Sequence, residues 1–291
     1  MPTTLVFLNP ESGNYSDALV KLFEQKDNSP CSFDIIKLFD PSSSWPTSLD
    51  QYSSVIIAGG DDTIRQTTQS LLPMLSSDLP LYFFPAGTVN DLCRALNIPL
   101  NLNNAFDLFK RLPAIKKIDY GMAYSEQTPD GLLFFSRVAT GFLSILQERV
   151  IRYGPPSSSF SYYKQVLPAF VSVSPENYVL KIDDKIIERR SIGIFICNAK
   201  FMGGLNWSNE IDISDSHFDV LIYTAESMWE KMRLLKGFAT GFHAVGEHIR
   251  CKKVSILEPK GLAVLSDGEM KMETPINVEI SDRQLSTIVP L

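Results

Sequence analysis

One stretch near position 60 constrains the fold more than any other part of this chain. The apolar run Val55–Ala58 contains two isoleucines and predicts a short buried strand. Gly59 and Gly60 then allow a tight turn or a close backbone approach, and after the polar residues Asp61–Thr63 the pattern restarts at helical spacing. A strand, a glycine turn and a helix N-terminus form a geometry that binds phosphate, because the first N–H groups of a helix are unpaired and carry partial positive charge.

The same pattern returns about one crossover unit later in the chain. The apolar run Leu81–Phe84 is followed by the turn sequence Pro85–Asp91 and by a helix-like segment that ends at Leu96. Neighbouring parallel strands place their carboxyl ends at one edge of a sheet, which is where open α/β sheets bind ligands. The two turns are therefore expected to lie side by side.

Four short motifs follow one another along the chain. Asn9–Gly13 reads NPESG, Gly59–Thr63 reads GGDDT, Pro85–Arg94 reads PAGTVNDLCR and Asp267–Glu269 reads DGE. In this order they resemble the NPxSG, GGDGT, PxGTxNDxAR and DGE motifs of the diacylglycerol kinase-type lipid kinases, which include bacterial lipid kinases and are related to sphingosine and ceramide kinases. GGDGT alone is shared with NAD kinases, but the other motifs favour the lipid kinases. The resemblance implies a nucleotide domain followed by a larger β-rich domain.

Composition limits the partners and the compartment. The formal net charge of −6 over 291 residues gives no bulk attraction to nucleic acid or to anionic membranes. We therefore expect no nucleic-acid partner, and we expect any membrane contact to come from a local patch of the surface. The four cysteines lie far apart, which favours free thiols in a reducing cytosol. The N-terminus does not read as a signal peptide, and no apolar run approaches the roughly 18 residues of a membrane span.

Strands alternate with helices up to about Ala114 and then follow one another at short spacing. The first pattern is typical of a mostly parallel sheet covered on both faces, and the second of an antiparallel sandwich. We therefore predict the α/β fold class, with an N-terminal doubly wound parallel-sheet nucleotide domain at 1–115 and a C-terminal antiparallel β-sandwich domain at 116–291 for the lipid substrate. The boundary is expected between Leu112 and Tyr120, and the last strand, Leu285–Val289, is free to return to the first domain.

Local patterns in the second domain give specific expectations. The apolar runs Ile115–Ala123 and Leu132–Ala139 are each predicted as one strand. Asp183-Asp184 is predicted as a tight hairpin turn. Helices are expected at Gly141–Arg152, Tyr162–Val171 and Glu226–Phe238.

The turns offer the groups that phosphoryl transfer requires for holding a polyphosphate, since most of that catalysis is positioning and charge neutralisation. Glycines let the backbone approach a phosphate, and threonine hydroxyls can donate to its oxygens. The candidates are Asn9, Ser12, Gly13, Gly59, Gly60, Thr63, Gly87 and Thr88, to which the motif match adds Asp62, Asn90 and Asp91. Ordinary strand-to-helix turns with capping residues are the alternative, which suffices for one turn but is disfavoured for the ordered set.

Two carboxylates qualify as the base for the acceptor hydroxyl. In related sphingosine kinases the residue at the position of Asp61 is assigned this role, and in bacterial relatives the Glu of DGE is, here Glu269. We predict Glu269, because the motif set fits the bacterial type better, with Asp267 binding metal or orienting the site. Taken alone, Ser266–Glu269 would be a type I′ hairpin turn between two strands.

The resemblance also implies a magnesium site. Asp212–Val220 is similar to the family's xxxDGxLxV stretch, in which the Asp is a side-chain ligand of a structural Mg²⁺. Carried over, Asp215 is the ligand, with Asp212 and His217 supplying main-chain oxygens, and hard oxygen ligands suit Mg²⁺. Because Ser216 stands where the family has glycine, a solvated acidic loop is an equal alternative.

Asp62 is a further departure, since the family's motif has glycine there. If the position requires a positive φ, aspartate is tolerated at a cost of roughly 1 kcal/mol. Its charge near a triphosphate is expected to weaken ATP binding unless a cation screens it. Replacement of Asp62 by glycine is therefore predicted to raise the affinity for ATP.

Some side chains of the second domain suggest a lipid contact. Aromatic candidates for an acyl-chain pocket are Phe134, Phe135, Phe142, Phe160, Tyr162, Tyr163, Phe170 and Phe201, although aromatics in a sandwich are more often core. Basic candidates for anionic head groups are Lys231, Arg233, Lys236, Lys252 and Lys253, with a solvated helix face or strand edge as the alternative.

Together these observations predict an ATP- and Mg²⁺-dependent kinase that phosphorylates a lipid hydroxyl, with diacylglycerol or a close relative as acceptor. The predicted setting is cytoplasmic with peripheral contact at the inner membrane surface, and a homodimer is compatible with the sequence. Two alternatives remain open. One is a NAD kinase-like phosphotransferase, and the other is a catalytically silent nucleotide- or lipid-binding module, which Asp62 and Ser216 motivate.

Overall fold

The computed structural model describes residues 2–24, 31–40, 43–111, 114–154, 159–240 and 246–291, without the side chains of residues 18, 159–165 and 235–240. The chain forms two compact units. Unit 1 comprises Met1–Tyr120, Phe201–Leu205 and Asp282–Leu291, and unit 2 comprises Gly121–Lys200 and Asn206–Ser281. None of the helices within the described ranges is long and apolar enough to cross a bilayer.

The strands are, in chain order, β1 (Thr3–Leu8), β2 (Ser32–Lys37), β3 (Ser54–Gly59), β4 (Leu81–Pro85), β5 (Ala114–Ile118), β6 (Gly121–Tyr124), β7 (Leu132–Phe134), β8 (Arg137–Gly141), β9 (Glu176–Ile182), β10 (Lys185–Ser191), β11 (Gly193–Cys197), β12 (Phe201–Met202), β13 (Leu205–Asn206), β14 (Phe218–Tyr223), β15 (Glu247–Cys251), β16 (Lys253–Glu258), β17 (Ala263–Ser266), β18 (Glu269–Glu273), β19 (Ile276–Ile280) and β20 (Leu285–Val289). The helices are α1 (Asp17–Glu24), α2 (Asp61–Leu71), α3 (Asp91–Ala95), α4 (Leu102–Lys110), α5 (Phe142–Tyr153), α6 (Ser159–Ser172) and α7 (Met228–Thr240).

Unit 1 is organised by a six-stranded sheet in the order β2-β1-β3-β4-β20-β5. Its strand pairs run parallel except for β20 with β5, which run antiparallel. The apolar runs that predicted strands are buried on both faces, as expected for a parallel sheet covered by helices: the segments Leu5–Leu8, Val55–Ala58 and Leu81–Phe84 have no exposed surface. The strand Leu285–Val289 lies inside this sheet.

Unit 2 is an antiparallel sandwich of two six-stranded sheets, ordered β10-β9-β16-β19-β6-β7 and β15-β14-β11-β8-β17-β18. Alternating apolar side chains of both sheets form one core; Phe134, for example, stacks on Phe218 with 5.5 Å between ring centroids. The predicted fold class is therefore confirmed. The link between β9 and β10 is the tight turn predicted at Asp183-Asp184, where Asp183 has a φ of 49°. The four cysteines are free and buried.

Two single-strand predictions were wrong. The segment Ile115–Ala123 is interrupted after Ile118, so that β5 belongs to unit 1 and β6 to unit 2. The segment Leu132–Ala139 is interrupted at residues 135–136, which separates β7 and β8 into different sheets. The second break has a physical cause, since the backbone N–H groups of residues 135–137 donate to the Asp267 carboxylate instead of to a neighbouring strand.

Candidate functional site

The three predicted turns lie at one edge of the unit 1 sheet. Strands β1, β3 and β4 are parallel neighbours, so the turns that follow Leu8, Gly59 and Pro85 meet at their carboxyl ends. The backbone also joins them, because the N–H of Asn9 donates to the carbonyl of Ala58 at 3.1 Å. The glycine-rich segments are thereby brought together within one unit.

Two asparagine side chains connect one turn to the next. Asn9 Nδ2 donates to Thr63 Oγ1 at 2.7 Å, and Asn14 Nδ2 donates to the carbonyl of Gly87 at 2.7 Å. The Thr63 hydroxyl accepts from Asn9 and keeps its own proton for an outside acceptor such as a phosphate oxygen. Asn14 was missed from the sequence, where only its position directly after the first motif could have drawn attention to it.

The closest approach of the second and third turns is made by two glycines. A Cβ atom on Gly87 would lie 2.3 Å from the Gly60 Cα and 2.9 Å from Asn90 Oδ1. A Cβ on Gly60 would lie 3.4 Å from the Gly87 Cα, which is an ordinary contact. The turns can therefore meet only because position 87 has no side chain.

Asn90 shapes the third turn. It has a φ of 57° and is almost fully buried, a backbone conformation that asparagine adopts more readily than most residues. Its Oδ1 accepts from the N–H of Gly87 at 2.9 Å, and its Nδ2 donates to the carbonyl of Gly87 at 2.7 Å. The Asn90 amide is thus used within the turn that presents Gly87 and Thr88.

The first turn carries a buried hydroxyl that the protein does not satisfy. Ser12 Oγ is buried and has no hydrogen-bond partner among the described residues. Beside it, a Cβ on Gly13 would lie 2.7 Å from Thr88 Oγ1, so the first and third turns also touch. A buried hydroxyl without a protein partner is costly, so a water or a ligand oxygen is expected beside it.

Both acidic residues of the second turn belong to helix α2. Asp61 and Asp62 are its first two residues, so Asp62 does not adopt the positive φ that would require glycine. The Asp61 carboxylate accepts the N–H groups of Asp91 and Leu92, both at 3.1 Å, and thereby caps α3. Asp62 lies in the first turn of α2, where the helix dipole favours negative charge. The conformational cost considered for Asp62 is therefore absent, and only its charge remains to be tested.

Asp91 ties a distant hairpin to this edge. Its carboxylate accepts the N–H groups of Gly203 and Gly204 at 2.7 and 2.8 Å, at the tip between β12 and β13. Both glycines have a positive φ, 59° and 80°, which explains why this tip contains a Gly-Gly pair. Sequence analysis missed this contact, although the Gly-Gly pair was its visible signal.

In unit 2, the half-buried Asp267 carboxylate anchors a turn. It follows β17 with a φ of 43°, and Gly268 has a φ of 100°, in line with the type I′ turn considered for the DGE segment. Its oxygens accept three consecutive N–H groups, from Phe135 at 2.6 Å, Ser136 at 3.0 Å and Arg137 at 2.9 Å. Burial raises the pKa of Asp267, and the three amides offset part of that rise.

Glu269 is the first residue of β18, directly after this anchored turn. Its side chain keeps 13% of its surface exposed, and Oε2 lies 3.0 Å from Lys271 Nζ. Gln147 Nε2 donates to the carbonyl of Gly268 at 3.0 Å and helps fix the turn that precedes Glu269.

In the loop predicted to bind Mg²⁺, the Asp215 carboxylate pairs with the guanidinium group of Arg250. Asp215 Oδ2 lies 2.5 Å from Arg250 Nη2, and Asp215 Oδ1 accepts the N–H of His217 at 3.0 Å. Asp212 Oδ1 accepts from both the N–H and the hydroxyl of Ser214. Ser216 has a φ of 58°, the conformation that the family's glycine would adopt at no cost.

The magnesium site of this loop stays a prediction, and an ion there would have to share or displace the contacts of the Asp215 carboxylate with the protein. Both carboxylate oxygens of Asp215 are engaged by the protein, and its carbonyl oxygen is 2.7 Å from His217 Nδ1. Across the described ranges, no group of three or more His, Cys, Asp and Glu side chains could hold a metal ion. Arg250, 35 residues further along the chain, supplies a positive charge at this carboxylate instead.

The aromatic and basic candidates are placed as follows. Phe134, Phe135, Phe142 and Phe170 are buried, Phe201 is half-buried, and the side chains of Phe160, Tyr162 and Tyr163 lie outside the described residues. Arg233, Lys252 and Lys253 are exposed, Lys231 is half-buried, and the Lys236 side chain is also outside the description. The buried candidates Phe134, Phe135, Phe142 and Phe170 are packed in the interior of unit 2, so a lipid pocket lined by aromatics remains a prediction.

Two family models match the chain. The diacylglycerol kinase catalytic domain matches residues 3–123, and the YegS C-terminal NAD kinase beta sandwich-like domain matches residues 136–289, more than half of the chain. The first contains the three converging turns, and the second contains the Asp267 turn and Glu269.

Individual relatives agree with these matches. A protein of Mycobacterium tuberculosis named diacylglycerol kinase is 26% identical over 245 residues, which is 81% of this chain and 77% of that protein. A crystal structure of a diacylglycerol kinase from Bacillus anthracis superposes with a TM-score of 0.71 at 19% identity, covering 99% of this chain and 96% of that one, a likeness of fold. The chain therefore belongs to the diacylglycerol kinase-type lipid kinase family and is a kinase.

Proposed function

We propose that this kinase transfers the γ-phosphoryl group of ATP to the hydroxyl of a membrane lipid, with diacylglycerol as the acceptor, giving a phospholipid and ADP. The observation that carries the proposal is the convergence of three turns around Gly60 and Gly87, with the unsatisfied hydroxyl of Ser12 beside them. The name of the mycobacterial relative supports the choice of acceptor. The proposed setting is the inner membrane surface, reached from the cytoplasm.

The nucleotide would be held mainly by backbone. Gly13, Gly60 and Gly87 let main-chain N–H groups come close to phosphate oxygens, and the hydroxyls of Ser12 and Thr63 add donors. The positive end of the α2 dipole adds a favourable field at the same edge. Positioning and charge stabilisation of this kind supply most of the catalysis in phosphoryl transfer.

We further propose that Glu269 accepts the proton of the acceptor hydroxyl as its oxygen attacks the γ-phosphorus and the bond to ADP breaks. Asp61 is less suited, because both of its oxygens already accept backbone N–H groups. Asp267 is less suited as well, because its oxygens accept three such groups. Glu269 is half-buried, its Oε2 lies 3.0 Å from Lys271 Nζ, and a carboxylate can serve as a general base.

The test offers labelled ATP and Mg²⁺ with diacylglycerol, monoacylglycerol, sphingosine, ceramide and NAD, each separately. We expect label in the product of diacylglycerol. Glu269→Gln should lower kcat by about 100-fold or more while leaving the dissociation constant of ATP nearly unchanged. Glu273→Gln, at the exposed far end of the same strand, is the matched control and should keep full activity.

Other outcomes would replace this proposal. Label in NAD alone would establish a NAD kinase-like activity, which the description of the C-terminal family model keeps as the second candidate. ATP binding without turnover on any acceptor would establish a silent binding module. Loss of activity in Asp61→Asn with activity kept in Glu269→Gln would move the role of base to Asp61.

A further inference from the structure

Helices α6 and α7 of unit 2 expose an unusual number of large apolar side chains. On α7, Trp229 is 85% exposed, Met228 49% and Met232 44%. On α6, Leu167 is 42% and Val171 47% exposed. Their spacings of three and four residues place each set on one side of its helix. We call these five residues the α6–α7 face.

The face is the outer side of two helices that are packed firmly against each other and the domain. Lys231 Nζ donates to the carbonyls of Val171 and Val173 at 3.3 and 2.5 Å, which joins α7 to the end of α6. On the inner side, Leu234 and Phe170 are almost fully buried. The exposed apolar residues are therefore not an unfinished part of the core.

The charges around the face favour an anionic partner. The Glu230 carboxylate accepts the N–H groups of Glu226 and Ser227 at 2.7 and 2.9 Å, which lowers its pKa, and Glu226 lies 3.4 Å from Arg190. Both carboxylates stay negatively charged, and each has a basic neighbour, Arg190 for Glu226 and Arg233 for Glu230. Because Lys231 adds a further cation, the charged side chains described on α7 have a net charge of +1. Arg233, one turn after Trp229, is exposed.

We propose that the α6–α7 face docks on the surface of a bilayer that contains anionic phospholipid. Tryptophan has an apolar ring and a polar N–H, and it concentrates at the boundary between head groups and acyl chains. Methionine and aliphatic side chains bury beside it, while a guanidinium meets phosphate at head-group depth. A second copy of this chain would present the same exposed Arg233, whereas anionic lipid presents the opposite charge. The inference rests on the proposed lipid acceptor, because that substrate is reached at a bilayer.

The test measures binding without turnover. Sedimentation with phosphatidylcholine vesicles, with and without phosphatidylglycerol and lacking both ATP and diacylglycerol, should show binding that depends on phosphatidylglycerol. Trp229→Ala should weaken it by about tenfold or more, and Arg233→Glu should weaken it on anionic vesicles only. Ile186 is an apolar residue of β10 that is 64% exposed and lies outside the face, and Ile186→Ala, the control, should bind like the wild type.

A second measurement locates the indole. Lipids brominated on the acyl chain should quench a component of the tryptophan fluorescence that is missing in Trp229→Phe. Equal vesicle binding by the wild type and Trp229→Ala would overturn the proposal. Equal quenching of the wild type and Trp229→Phe by the brominated lipids would overturn it as well. So would a dimer that Trp229→Ala converts to monomer without any change in vesicle binding.

This design separates the docking face from the reaction. Activity on a short-chain diacylglycerol dissolved as monomer should be the same in Trp229→Ala and wild type if only docking is affected. Vesicle binding that depends on Trp229 in a protein that phosphorylates no lipid would refute the proposed function and support the docking face. If the wild type phosphorylates lipid and Trp229→Ala binds vesicles as the wild type does, the docking face is refuted and the proposed function is supported.

Discussion

Replacement of Gly87 by alanine tests whether the contact between the second and third turns controls nucleotide binding. The added methyl would lie 2.3 Å from the Gly60 Cα and 3.1 Å from the Gly60 nitrogen. This is about 1 Å inside an ordinary carbon–carbon contact of about 3.4 Å. Both atoms belong to the backbone, so no side chain can rotate away and the turns must separate.

Overpacking of this kind costs about 1–3 kcal/mol, which we expect as the loss in the free energy of unfolding by urea. If the bound state keeps the turns closed, the same energy appears as about 5- to 150-fold weaker ATP binding. Titration calorimetry with a non-hydrolysable ATP analogue measures this second quantity. Gly87→Ala protein with wild-type stability and wild-type affinity would refute the reasoning.

Gly60→Ala is the matched comparison for stability. Its methyl would lie 3.4 Å from the Gly87 Cα, and Gly60 has an extended backbone with a φ of −83° that alanine adopts freely. As an N-cap position, it should change stability by only about 0.5 kcal/mol. An equal loss of stability in both variants would show that the contact between these glycines is not the cause.

Three other changes probe single features of the structure. Asp267→Asn exchanges one acceptor oxygen for a donor opposite three N–H groups and should cost about 2–3 kcal/mol in urea unfolding, and an unchanged midpoint would contradict the structural role. Arg250→Ala should lower the free energy of unfolding by up to about 1 kcal/mol, as should Arg189→Ala at another half-exposed ion pair. EDTA should leave the melting temperature of the wild type unchanged. A melting temperature that depends on Mg²⁺ would support a magnesium site in the Asp215 loop. Asp62→Gly should raise the affinity for ATP, because it removes a negative charge near the phosphates. Asp62→Asn should raise the affinity as well, and it avoids the cost of about 1 kcal/mol that glycine carries in a helix. Weaker ATP binding by Asp62→Asn would refute the electrostatic argument.

Local patterns were sufficient for the α/β plan and for the turns. Fully apolar runs such as Val55–Ala58 are typical of strands buried on both faces, and a pair of glycines marks where such a strand ends. Alternation with helices makes neighbouring strands parallel, so the positions of the turns at one edge follow from topology alone. These inferences need only residues that are close together in the chain.

Contacts between distant residues explain what the sequence did not reveal. The apolar run Leu132–Ala139 has no turn residue at its centre, and it bends because of Asp267, more than 130 positions away. Arg250 reaches Asp215 from another strand, and nothing beside either residue indicates the pairing. The motif comparison placed Asp62 at a glycine position and raised the possibility of a positive φ. In the structure Asp62 is helical, because α2 begins at Asp61.

The place of β20 between β4 and β5 has a consequence for biosynthesis. During translation, the first half of the polypeptide leaves the ribosome with an open gap in its sheet, because the filling strand is made roughly 165 residues after β5. The six-stranded sheet is therefore complete only once nearly all of the sandwich has been synthesised. A nascent chain that stalls before position 285 would thus expose two unpaired strand edges to chaperones and proteases.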